Sequence, residues 1–157
     1  MAEKINATAE EIPLKDHAKH IFEVSRIILP GIQTIFGFQL IAVLNTSFFE
    51  RLSFWEQRIH LLATILMVVA IILAIAPAAY DRINHPHHVT ERFVQVCTKF
   101  LTASLIALIA GITLDMYLII ELIIDNWQVS LIISIALLLF AYFVWFWIPR
   151  RDGGMTE

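Results

Sequence analysis

The chain alternates long apolar runs with short polar ones. Residues 27–49, 59–80 and 126–149 contain no Asp, Glu, Lys or Arg and are 23, 22 and 24 residues long. A fourth run, 100–124, has 25 residues and only two charges, Asp115 and Glu121. At ~1.5 Å rise per residue, about 20 apolar residues cross a hydrocarbon layer of ~30 Å. The pattern predicts four transmembrane helices, at 28–48, 60–80, 100–124 and 129–148. Ahead of them, Leu14, Ala18, Ile21, Phe22, Ser25 and Leu29 share one helical face, and Lys15, Asp16, Lys19, His20, Glu23 and Arg26 share the other. This predicts an amphipathic helix over 13–27 lying in the membrane interface. A solvated helix packed on the bundle would show the same periodicity. Residues 1–12 and 149–157 read as polar tails. The expected fold is all-α: an integral membrane four-helix bundle with an N-terminal amphipathic interfacial helix.

Composition agrees with that pattern. Hydrophobic residues make up 59% and charged residues 16% of 157, where a soluble domain carries about 25% charge. A soluble enzyme, a nucleic-acid-binding domain and a disordered tail are excluded. The first 26 residues lack the apolar core of a cleavable signal peptide. The single cysteine, Cys97, allows no internal disulfide.

Lys and Arg set the expected orientation. Nine of the eleven fall before the first span, between the second and third, or after the fourth. Arg51 and Arg58 alone fall on the other side. The positive-inside rule then places both termini in the cytoplasm. The fourth span ends in Phe140, Tyr142, Phe143, Trp145, Phe146 and Trp147, an aromatic belt sealed by Arg150 and Arg151.

Asp115 carries the most information. An acid near the bilayer midplane is costly and faces protein or a water cavity. Ala103, Ala107, Gly111 and Asp115 are spaced by four, a small-residue stripe that lets another helix approach. No Lys or Arg lies inside a span to pair with it. Gln33, Gln39, Thr34, Thr64 and Ser104 are the polar groups that could hold it. A lone carboxyl here serves either a structural hydrogen bond or proton and cation coupling, and both readings stand. The ion-site candidates are Asp115, Gln33 and Glu121. Glu121 lies nearer the outer surface, with Tyr117 at i−4 as a hydrogen-bond partner.

Pro77 is expected to end or kink the second span, just before Tyr80 and Arg82 reach the interface. Gly31 marks the start of the first span. His85, His87 and His88 are weak metal candidates, because Pro86 breaks helical spacing and no Cys or carboxylate follows at a ligand interval. No catalytic constellation or nucleotide loop is visible. We expect no enzyme activity, no cofactor, no metal and no nucleic-acid partner. The expected partners are the lipid bilayer and either a second copy or another membrane protein.

Three segments carry a resemblance. They are Gly31-x-Gln33-x-x-Phe36-x-Phe38-x-Leu40, the run from Ile75 through Pro77 and Tyr80 to Arg82, and Leu114-Asp115-Met116-Tyr117. Together they resemble an uncharacterised family of small bacterial four-span membrane proteins, over about residues 20–125. Some of its members carry the automatic name sodium:proton antiporter. The resemblance implies a four-span protein of a bacterial cytoplasmic membrane. The two functions to weigh are an accessory or assembly component and an oligomeric proton- or cation-coupled transporter.

Overall fold

The computed structural model describes residues 14–83 and 90–153, and within them it is helical with no strand. The elements are α1 (Leu14–Leu44), α2 (Thr46–Arg51), α3 (Phe54–Ile83), α4 (Glu91–Ile124) and α5 (Trp127–Tyr142). A π-helical turn, Phe143–Trp147, joins α5 to α6 (Ile148–Gly153). Four helices are long and apolar enough to cross a membrane: Asp16–Leu44, Phe54–Ile83, Glu91–Ile124 and Trp127–Trp147. The chain is therefore a four-span helical membrane protein.

Local chemistry fixes the helix ends. Asn45 caps α2 by accepting from the Ser47 N–H. Ser53 and Glu56 form a reciprocal capping box before α3. Thr90 accepts from Phe93 N–H at the start of α4, and Asn126 accepts from Gln128 and Val129 N–H at the start of α5. Asp125 ends α4 in the left-handed conformation, φ 54°, so two residues suffice to reverse the chain.

The expected boundary at residue 27 is absent. α1 runs unbroken through Pro30 to Leu44. A proline removes one N–H and crowds the carbonyl four residues earlier, yet α1 is packed on both sides of it. Before Pro30, Ala18 and Ile21 are buried in a cluster with Phe93, Cys97 and Leu101 of α4. After it, Ile32 is buried against Met67, Ala70, Ala74, Ala107 and Leu108. The amphipathic segment thus packs Ala18 and Ile21 of its apolar face on α4. Pro77 does not end its helix either: it is buried within α3, which continues to Ile83. Tyr80 packs on Phe93 with ring centroids 5.6 Å apart, and Arg82 is exposed.

α3 and α4 form the central pair. His60, Ala63, Met67, Ala70, Ala74 and Pro77 are the buried face of α3. Opposite, Ser104, Ala107 and Gly111 present small side chains, as close helix packing in lipid requires. Ser104 Oγ donates to the Ala70 carbonyl at 2.8 Å. Ser104→Ala is expected to lower stability by about 1 kcal/mol; an unchanged midpoint in a detergent-unfolding titration would count against a role for this bond.

α5 packs chiefly on α4, with Ser130 and Ser134 as its buried residues. Its other faces are apolar and exposed, including Ile132, Leu139 and Phe140. Lipid is the natural solvent for such a surface. The aromatic belt contains the π-turn. Pro149 offers no N–H to the carbonyl of Trp145, and a wider turn absorbs the misfit. Tyr142 stacks on Phe146 and Phe143 on Trp147. The Arg151 guanidinium stands 5.4 Å from the Trp147 ring.

Candidate functional site

The polar centre of the membrane region is built by three helices. α4 supplies Asp115, whose side chain is 15% exposed. It follows Gly111 by one turn, so the stripe that brings α4 onto α3 also brings the carboxyl inward. α3 supplies His60, at the α2 end of its buried face. α1 supplies Gln39, buried on the same face as Ile32.

Gln39 Nε2 donates to Asp115 Oδ2. His60 Nδ1 lies 3.3 Å from Asp115 Oδ1. His60 Nε2 lies 3.2 Å from the backbone carbonyl of Gln39. Phe48 of α2 covers the imidazole edge-on, with ring centroids 5.1 Å apart. A carbonyl only accepts, so Nε2 carries hydrogen. In a neutral imidazole Nδ1 is then a bare lone pair, facing a carboxyl oxygen. Two acceptors in contact away from water are unfavourable. One proton placed between Asp115 and His60 would remove that clash and leave the pair neutral overall. The contact is an ion-pair distance and not an aligned hydrogen bond. Asp115 Oδ1 and Gln39 Oε1 are both buried and have no hydrogen-bond partner among the described residues.

A cavity of about 690 Å³ lies beside this centre. Gln39, His60 and Asp115 line it, and α1, α2 and α4 form the walls. Asn45, Ser47 and Arg51 stand at its α2 end. Phe38 of α1 and Ile119 and Leu122 of α4, all in its lining, are exposed.

The other expected site residues lie elsewhere. Gln33 is exposed on α1, on a different face from Gln39. Gly31 is exposed and has open space around it. Glu121 does not line the cavity. Its Oε2 is buried without a hydrogen-bond partner among the described residues, so the bond from Tyr117 is not made. Thr34 and Thr64 bond their own helices, at Pro30 and His60 carbonyls. His85, His87 and His88 lie outside the described residues, and no metal-competent cluster occurs within them. His60 was invisible as a site residue in the sequence. It sits at the edge of an apolar run, and only the placement of Asp115 one layer inside α4 gives it a partner. Gln39 carried a signal, as one of five polar groups able to reach Asp115.

No curated protein and no solved structure matches the chain. One family model does, and it spans residues 15–149, including all four long helices and the Asp115 centre. The chain belongs to the family of unknown function DUF6328.

Proposed function

We propose that this protein exchanges a proton for a cation at Asp115, as a non-enzymatic, oligomeric transporter of a bacterial cytoplasmic membrane. The observation that carries the reading is the Asp115–His60–Gln39 centre beside a cavity. Its carboxyl is largely buried and close to a base that can hold or release one proton. A cation arriving at the carboxylate replaces that proton, and the charge within the bilayer stays constant. Exchange of this kind avoids leaving a bare carboxylate in hydrocarbon. Few polar groups line the helices away from this centre, so a second copy completes the path. The exposed apolar faces of α1 and α5 are available for it. With both termini in the cytoplasm, as the Lys and Arg distribution favours, the cavity sits toward the outer leaflet.

A second reading rests on the same contacts. Asp115 ties three helices together, which suits a structural clamp in an accessory or assembly component. Liposome flux separates the two. Reconstituted wild-type protein is expected to move protons against a sodium or organic-cation gradient, and Asp115→Asn to abolish that movement. No wild-type flux overturns the transporter and leaves the clamp. Flux that survives the substitution removes Asp115 from the path.

A further inference from the structure

The cavity beside Asp115 has more room and fewer oxygens than a small inorganic cation uses. A hard cation takes a shell of about six oxygens. Here the nearby acceptors are the Asp115 carboxyl and Gln39 Oε1, and Asn45 and Ser47 stand apart at the α2 end. The walls are apolar: Ile35, Phe38, Ala42, Phe48, Met116 and Ile119. A space of about 690 Å³ lies in the range of sites for drug-sized molecules, roughly 300–1,000 Å³, which pair apolar walls with a few placed polar groups.

We infer that this cavity binds an apolar-bodied amine, a primary or secondary ammonium on a hydrocarbon or aromatic frame, admitted from the lipid between α1 and α4. The inference rests on the exchange reading above and names its substrate class. Gln39 is 4% exposed and its Oε1 has no donor among the described residues. Asp115 Oδ1 has no aligned donor among them, with His60 Nδ1 as its 3.3 Å neighbour. An ammonium supplies N–H donors to both acceptors and a positive charge to the carboxylate. Phe38 and Phe48 are in the lining, and aromatic rings attract a cation. The proton shared with His60 leaves as the ammonium arrives, and no covalent bond to carbon changes.

The surrounding charges favour this route. His60 faces Asp115 from α3, and α1 contributes only the neutral Gln39. Arg51 stands at the α2 end of the cavity, where its guanidinium repels small hydrated cations. Glu121 is on α4 but outside the lining. Phe38 of α1 and Ile119 of α4 belong to the lining and are exposed, so a molecule that partitions into lipid can reach the carboxyl past them rather than past Arg51.

The test uses full-length protein in nanodiscs and 1-naphthylmethylamine as probe. Its trimethylammonium and alcohol analogues, and sodium, serve as comparators. The amine is expected to bind and to release about one proton in weakly buffered solution. The trimethylammonium analogue, which has no N–H, is expected to bind about tenfold more weakly. Gln39→Leu and Asp115→Asn each weaken amine binding about tenfold or more. Phe38→Ala, on an exposed wall, weakens it without disturbing the helix core, and Gln33→Leu leaves it unchanged. Equal binding of amine and alcohol, or amine binding that survives both Gln39→Leu and Asp115→Asn, overturns the proposal. Proton release by sodium but not by the amine overturns the amine and leaves proton exchange standing. Amine binding without proton release sinks the exchange reading and keeps the ligand class. A dimer whose second copy fills the cavity and excludes the amine also overturns it.

Discussion

Gly111→Leu is expected to force α3 and α4 apart and to destabilise the protein by about 3 kcal/mol. A Cβ added at Gly111 would lie 3.2 Å from the Ala63 carbonyl oxygen, 3.4 Å from Met67 Cε and 3.5 Å from Leu66 Cβ. The first of these is backbone and cannot turn aside. Met67 is flexible but is itself fully buried. Alanine would need a shift of a few tenths of an ångström, whereas leucine adds three more carbons where α3 already stands. Gly31 and Gly37 are controls, because a Cβ at either meets nothing within 4 Å. The measurement is the midpoint of a detergent-unfolding titration for the three leucine variants. If Gly111→Leu unfolds with Gly37→Leu, the close approach of α3 and α4 is not what holds this bundle together.

His60→Leu is the second large effect. It leaves Asp115 with Gln39 as its sole polar side-chain contact among the described residues. Removing one member of a buried ion pair costs about 3–5 kcal/mol, because the other member is left uncompensated. Replacing both is far milder, so His60→Leu with Asp115→Leu is expected to regain much of the loss. The coupling from the double-mutant cycle decides what kind of contact this is. Ordinary hydrogen bonds between membrane helices average about 0.6 kcal/mol. A coupling of about 1–3 kcal/mol would mark a pair that shares charge. A value near the ordinary average would remove the shared proton from the mechanism.

Much of this architecture was legible in the residues. Length without charge gave four spans, because lipid tolerates neither exposed backbone nor unpaired charge. The stripe Ala103, Ala107, Gly111 identified the face of α4 that meets α3, and so the direction in which Asp115 points. Two features were illegible for opposite reasons. Proline at position 30 is a local signal for a break, and packing of Ile21 and Ile32 on either side overrides it. His60 emits no local signal, since its meaning depends on a carboxyl 55 positions away in the chain. Gln33 and Gln39 look alike in the sequence. Only the phase of α1 against α4 separates the one that is exposed from the one bonded to Asp115.

That phase is set mechanically. Ile21 and Gln39 are eighteen residues apart, which at 3.6 residues per turn is about five whole turns, or ~27 Å along the axis. One side of a single unbroken rod therefore grips Phe93 and Cys97 of α4 at one end and holds the carboxyl of the same helix at the other. Twisting or tilting α1 at the Ile21 grip is carried toward Gln39 by the same helix, which continues through Pro30. The position of Gln39 beside the Asp115 carboxyl and the packing of the chain's first turns on α4 are thereby tied to each other through one helix.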